Sequence, residues 1–128
     1  MKRFGMKEDA LKAKLKFKAI IVMCSSIRFM SLIQVICDLV SSKDGTLLGD
    51  KRKQGSEPQV VDVIMTNPDL LYADEWEMPR YGPKSITTML RALFKEHYGF
   101  EIKIEEYGKP HKATYDFAEK KVVDFATQ

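Results

Sequence analysis

Apolar and polar positions alternate along this chain in a repeating order. AIIVMC (residues 19–24) and VVDVIMT (60–66) are apolar runs of strand length, the kind buried on both faces of a parallel sheet. After the first run, Leu32, Val35, Ile36, Leu39 and Val40 recur at helical spacing and predict an amphipathic helix. After the second, Pro83 opens a helix carrying Ile86, Met89, Leu90, Leu93 and Phe94 on one face, with Gly99 as its stop. Glu101 to Glu105 then alternates β-branched and charged residues, the period of a third strand. Tyr115, Ala118, Val122, Val123 and Ala126 follow at helical spacing. Strand–helix alternation of this kind predicts an α/β fold: a parallel sheet with right-handed crossovers and helices packed on its faces, a three-layer arrangement.

Between these elements, residues 6–17 read as a short helix or a frayed terminus. Residues 41–59, polar and glycine-containing, read as a flexible connection that is either a functional flap or disordered. LLYADEWEMPRYG (70–82), with one tryptophan and a proline, reads as acidic, aromatic and irregular.

Parallel sheets gather ligands outside the carboxyl ends of their strands. Three segments leave strands there: Cys24-Ser25-Ser26, Thr66-Asn67-Pro68-Asp69 and Gly108-Lys109-Pro110. In the last, Gly108 permits a tight turn and Pro110 suits the first helical position. Lys109 then stands at a helix N-terminus, where the macrodipole disfavours a cation by up to about 1 kcal/mol. An anion bound there, phosphate above all, reverses that penalty; a solvated lysine in a turn is the plainer alternative. Asn-Pro-Asp is likewise a good turn sequence in its own right.

Composition narrows the field. The chain has 128 residues, one domain's worth, with 45% hydrophobic and 30% charged residues and a net charge of +3. Lys51-Arg52-Lys53 is a short charge run of the kind usually solvated, and the charge bias is too weak for nucleic acid. Cys24 and Cys37 make neither a disulfide framework nor a zinc site, and a reduced intracellular compartment is expected. No apolar run reaches the roughly 18 residues of a membrane span. Glu8 and Asp9 interrupt the basic terminus and argue against an organelle transit peptide.

TNPDLLYADEWEMPRYGPKSITTMLRALF followed by YGKPHKATYDFA resembles the haloacid-dehalogenase-like (HAD) hydrolases of subfamily IIA. Within them it is similar to the cat eye syndrome critical region protein-like branch, whose fungal members are often mitochondrial. KAIIVMCSSIRFMSLIQVICDLVSSKDG is similar to that branch as well, so the resemblance covers roughly residues 17 to 126. It implies a HAD-like fold present in part: an N-terminal extension (1–17), a cap-like α/β region (18–107) with the flexible loop 41–59, and the start of the second core segment (108–128). It implies a phosphatase-type hydrolase in which magnesium assists phosphoryl transfer to an aspartate, acting on a small phosphorylated substrate.

Carried over residue by residue, the resemblance makes Lys109 the catalytic lysine that holds the phosphate. Asn67, Asp69, Gly108 and Pro110 become substrate-binding positions. No Asp-x-Asp nucleophile follows an apolar strand, and the late acidic magnesium motif is absent, so the chain supplies no metal ligands. Asp44-Gly45-Thr46 echoes the end of the nucleophile motif, but Ser42 holds the nucleophile position and a helix precedes it. The resemblance thus implies a truncated chain, inactive alone, from a cytoplasmic or mitochondrial hydrolase. The alternative is a non-catalytic, cap-derived module that associates with a second copy of itself.

Overall fold

The computed structural model describes residues 15–24, 27–47, 49–52 and 58–127. Among these, the elements run β1 (Ala19–Val22), α1 (Phe29–Val40), β2 (Asp62–Met65), β3 (Leu71–Tyr72), β4 (Arg80–Tyr81), α2 (Lys84–Tyr98), β5 (Glu105–Glu106) and α3 (Lys112–Ala126). β1, β2 and β5 form a sheet in that order, all parallel, with Val22 opposite Met65 and Met65 opposite Glu106. The α/β fold with a parallel sheet is therefore as the sequence predicts. The expected helix over 6–17 lies outside the described residues except at its end, where Lys16 bridges to Thr46 in extended backbone rather than helix.

The core forms where the apolar stripes of α1 and α2 meet each other and one face of the sheet. Ile33, Ile36, Cys37 and Val40 of α1 and Ile86, Leu90 and Phe94 of α2 pack with Val22, Val63, Met65 and Ile102. Each such side chain contributes roughly 1.5–3 kcal/mol through its removal from water. Phe94 is fully buried and packs against the tilted ring of Tyr98 and edge-to-face with Phe100, at centroid distances of 4.6 and 5.2 Å. Burial also pushes the Cys37 thiol up to about 11, which keeps it protonated and inert near neutrality.

One expectation about the sheet needs correction. β1 is not buried on both faces: Ile21 is 59% exposed and Met23 71% exposed. Successive strand residues point to opposite faces, and both packed helices lie on the Val22 side. α3, predicted from its apolar spacing, is helical but buries no residue, leaving Phe117 and Phe125 exposed.

Three local readings also change. The segment after Leu70 is not irregular: β3 and β4 pair antiparallel, Leu71 with Tyr81 and Tyr72 with Arg80. The third strand is displaced, because regular pairing with β2 begins only at Ile64–Glu105. Before that point the Gln59 side chain stands in for the ladder, donating to the Lys103 carbonyl and accepting from its N–H at 2.9 Å each. Pro110 does not open the last helix. Gly108 accepts the His111 N–H at 2.8 Å, closing a turn that contains Pro110 after a cis peptide bond, and the helix starts at Lys112.

The connection after α1 is tied down at its described ends. Ser41 and Ser42 are fully buried, and the Arg52 N–H donates to the Ser41 carbonyl at 2.7 Å. Arg52 itself is buried rather than solvated. Its Nε donates to the Val40 carbonyl at 3.1 Å, and its guanidinium lies 4.9 Å from the Phe100 ring centroid. A cation suits that place, because the last carbonyls of α1 carry the negative end of the helix dipole.

Candidate functional site

All three sheet strands run the same way, so their carboxyl ends share one edge. The ladder continues a step past them: the Thr66 N–H donates to the Val22 carbonyl at 3.2 Å and the Tyr107 N–H to the Met65 carbonyl at 2.8 Å. The three chain exits therefore emerge side by side. Ser25 and Ser26 lie outside the described residues; Cys24 sits at this edge and is exposed.

The second and third exits touch. Gly108 has φ +100°, and a Cβ on it would stand 2.6 Å from the Thr66 carbonyl oxygen and 3.0 Å from Pro68 Cδ. Any side chain there collides with backbone, so glycine is what lets the loops close on each other. Lys109 follows immediately. It is exposed, and no described residue makes an ion pair or side-chain hydrogen bond with it. The first turn of α3 has no acidic residue and no side-chain cap, so the N–H groups of Lys112 and Ala113 lack a side-chain acceptor.

Asn67 is occupied with its own loop. Its Oδ1 accepts the Asp69 N–H at 3.0 Å, the Asx turn that the sequence allows. Asp69 is tied to α2 through its carbonyl, which accepts the Lys84 N–H at 3.2 Å. Of the five residues singled out from the sequence, the structure thus brings Asn67, Asp69, Gly108 and Lys109 to one edge. Pro110, exposed in the adjoining turn, shapes the loop that carries the lysine.

A charged clasp behind this edge escaped the sequence reading. The Glu106 carboxylate, whose side chain is 16% exposed, lies 3.0 Å from Arg91 Nη1 and 3.7 Å from Lys84 Nζ. Lys84 therefore holds both loops, Asp69 through its backbone and Glu106 through its ammonium. The available signal was the spacing of Lys84 and Arg91, two helical turns apart on one side of α2. Beyond Glu106, the Tyr107 hydroxyl donates to Glu105 at 3.0 Å, and that carboxylate raises the phenol above its ordinary range.

Asp44-Gly45-Thr46 lies at the opposite edge. The Phe17 N–H, just before β1, donates to the Gly45 carbonyl at 2.9 Å. Asp44 Oδ1 accepts the Thr46 hydroxyl at 2.8 Å and the Thr46 N–H at 3.2 Å, and these bonds hold its carboxyl below the usual carboxylate range. This carboxylate is committed to a turn and is remote from Lys109. Among the described residues no three His, Cys, Asp or Glu side chains converge to hold a metal ion. The described residues thus do not fit magnesium, and no step is assigned to it.

The chain has relatives over much of its length. Over 86 residues, 67% of this chain, it is 36% identical to the cardiolipin synthase (CMP-forming) / mitochondrial hydrolase fusion protein of Schizosaccharomyces pombe, of which the match covers 14%. Over 110 residues, 86% of this chain, it is 30% identical to mitochondrial hydrolase YKR070W of Saccharomyces cerevisiae, of which it covers 31%. It resembles part of proteins named as mitochondrial hydrolases. The chain spans less than a third of either relative's length. No family model matches it. No helix among the described residues is long and apolar enough to cross a membrane.

Proposed function

We propose that this chain is the phosphate-holding part of a HAD-like subfamily IIA hydrolase of the phosphatase type, working in mitochondria. In this reading Lys109 neutralises the phosphate of a small phosphorylated substrate, and the first N–H groups of α3 accept its oxygens. Asn67 and Asp69 shape the adjoining wall, Gly108 brings that wall into contact with the lysine loop, and Pro110 holds the turn. The observation that carries the reading is an exposed ammonium, unpaired among the described residues, on a loop packed against the segment that leaves β2. Similarity to proteins named as hydrolases supports the reaction class. Magnesium, expected of that family, would draw its ligands from residues this chain does not supply. Without an Asp-x-Asp nucleophile the chain alone forms no aspartyl phosphate.

The test is a titration with inorganic phosphate followed by amide NMR. Resonances of Gly108, Lys109 and Lys112 should shift, and Lys109→Ala should abolish the effect while Lys112→Ala, whose ammonium is paired with Asp116 at 2.6 Å, keeps most of it. No shift at millimolar phosphate, or turnover of an aryl phosphate by this chain with magnesium, would overturn the proposal.

A second reading, a module that associates through apolar surface with another copy of itself, is favoured by the exposure of Ile21, Phe117, Val122 and Phe125. A monomeric profile in size-exclusion chromatography at micromolar concentration counts against it.

A further inference from the structure

An apolar groove of about 450 Å³ opens between the start of α1, the β3–β4 hairpin and the first two turns of α2, lined by Phe29, Leu70, Tyr81, Ile86 and Met89. Ser85 and Thr88 also line it, and both aliphatic hydroxyl protons are committed: Ser85 donates to the Gly82 carbonyl at 2.7 Å and Thr88 to the Lys84 carbonyl at 3.0 Å. The lining therefore offers mainly hydrocarbon and ring surface, with the exposed Tyr81 phenol as its one hydroxyl not bonded to a described residue. Its volume is about three times the roughly 150 Å³ that holds a benzene.

The groove and the lysine loop are near neighbours. Leu70 is two residues beyond Pro68, a reach of at most about 7 Å, and Pro68 Cδ stands 3.0 Å from where a Gly108 Cβ would be. The separation is short enough for one ligand of modest length to reach from the groove to the lysine loop.

We infer that the groove takes the apolar group of a soluble, single-tailed or aromatic phosphomonoester whose phosphate sits at Lys109. This rests on the phosphate reading above and adds the substrate's chemical class. A hydrophilic phosphate, such as that of a sugar, leaves the groove empty and gains nothing from Phe29, Ile86 or Met89. An apolar group buried there gains by the area it removes from water.

The test compares octyl phosphate, below its micellar concentration, with methyl phosphate and 1-octanol, each titrated into the full chain and followed by amide NMR. Octyl phosphate should bind at least about tenfold more tightly than methyl phosphate, the gain expected from burying a leucine-sized group. It should shift Ile86 and Met89 together with Gly108 and Lys109. Phe29→Ala and Tyr81→Ala, both at exposed side chains and so compatible with folding, should erase the octyl advantage while leaving methyl phosphate unchanged. Equal affinity for the two phosphates, with shifts confined to Gly108 and Lys109, overturns the groove assignment and leaves the phosphate reading standing. Binding of 1-octanol as tight as that of octyl phosphate, insensitive to Lys109→Ala, overturns both.

Discussion

Two loops at opposite edges of the sheet are built alike and used differently. Asp44-Gly45-Thr46 and Gly108-Lys109-Pro110 each turn on a glycine with positive φ, +77° and +100°, pressed against a neighbouring backbone carbonyl, that of Phe17 in one case and Thr66 in the other. At the amino edge the charged side chain is bonded back into its own turn by Thr46 and approached by Lys16 at 3.9 Å. At the carboxyl edge the charged side chain is left to solvent. A turn that satisfies its own charge is complete as structure, whereas one that leaves a cation beside free N–H groups can still hold a ligand.

The comparison is sharpened first at the glycines, where the largest effects are expected. Gly45→Val and Gly108→Val should each lose about 1–3 kcal/mol of stability, measured as a lower urea midpoint, because a side chain at positive φ is strained and meets backbone. Only the change at 108 should also abolish phosphate-induced shifts; loss of those shifts in both variants would make the two loops equivalent.

Next come the charged residues themselves. Lys109→Ala should leave stability within about 0.5 kcal/mol, as for other exposed positions, while removing the response to phosphate. Asp44→Ala should do the reverse, lowering the melting temperature and leaving the phosphate response intact. If both variants only destabilise, Lys109 is structural and the contrast disappears.

The clasp comes third. Glu106→Gln should lose about 1 kcal/mol in thermal unfolding, a modest effect because Lys84 and Arg91 are both about 40% exposed. Broadened Gly108 and Lys109 amides would show the lysine loop losing its support; unchanged ones would assign the clasp to stability alone.

The smallest effect concerns pH. The Thr46 hydrogen bonds lower the Asp44 pKa from its ordinary 3.8, so their stabilisation is fully present above that value and lost as pH falls through the folded-state pKa. Thr46→Val should therefore flatten the acid limb of the stability curve, and an unaltered limb would show that the hydroxyl contributes nothing to the turn.

By itself the sequence determined the elements that carry their own signals. The stripe from Leu32 to Val40 is a helix, Pro83 and Gly99 bound another, and the alternation of strand and helix forces a parallel sheet whose carboxyl ends collect the loops. Sequence could equally place Lys109 beside the start of α3, since glycine and proline are local punctuation. What depends on the sheet's partners was not legible. Ile21 and Val22 are both apolar, yet only packing decides that Val22 joins the core with both helices while Ile21 is left 59% exposed. The same holds for Asp44 and Lys109: spacing shows that each sits in a turn, but which charge is satisfied depends on Thr46, Lys16, Thr66 and Pro68, brought there by the folded chain. Periodicity reports the face a residue belongs to, and only tertiary structure says what stands opposite that face.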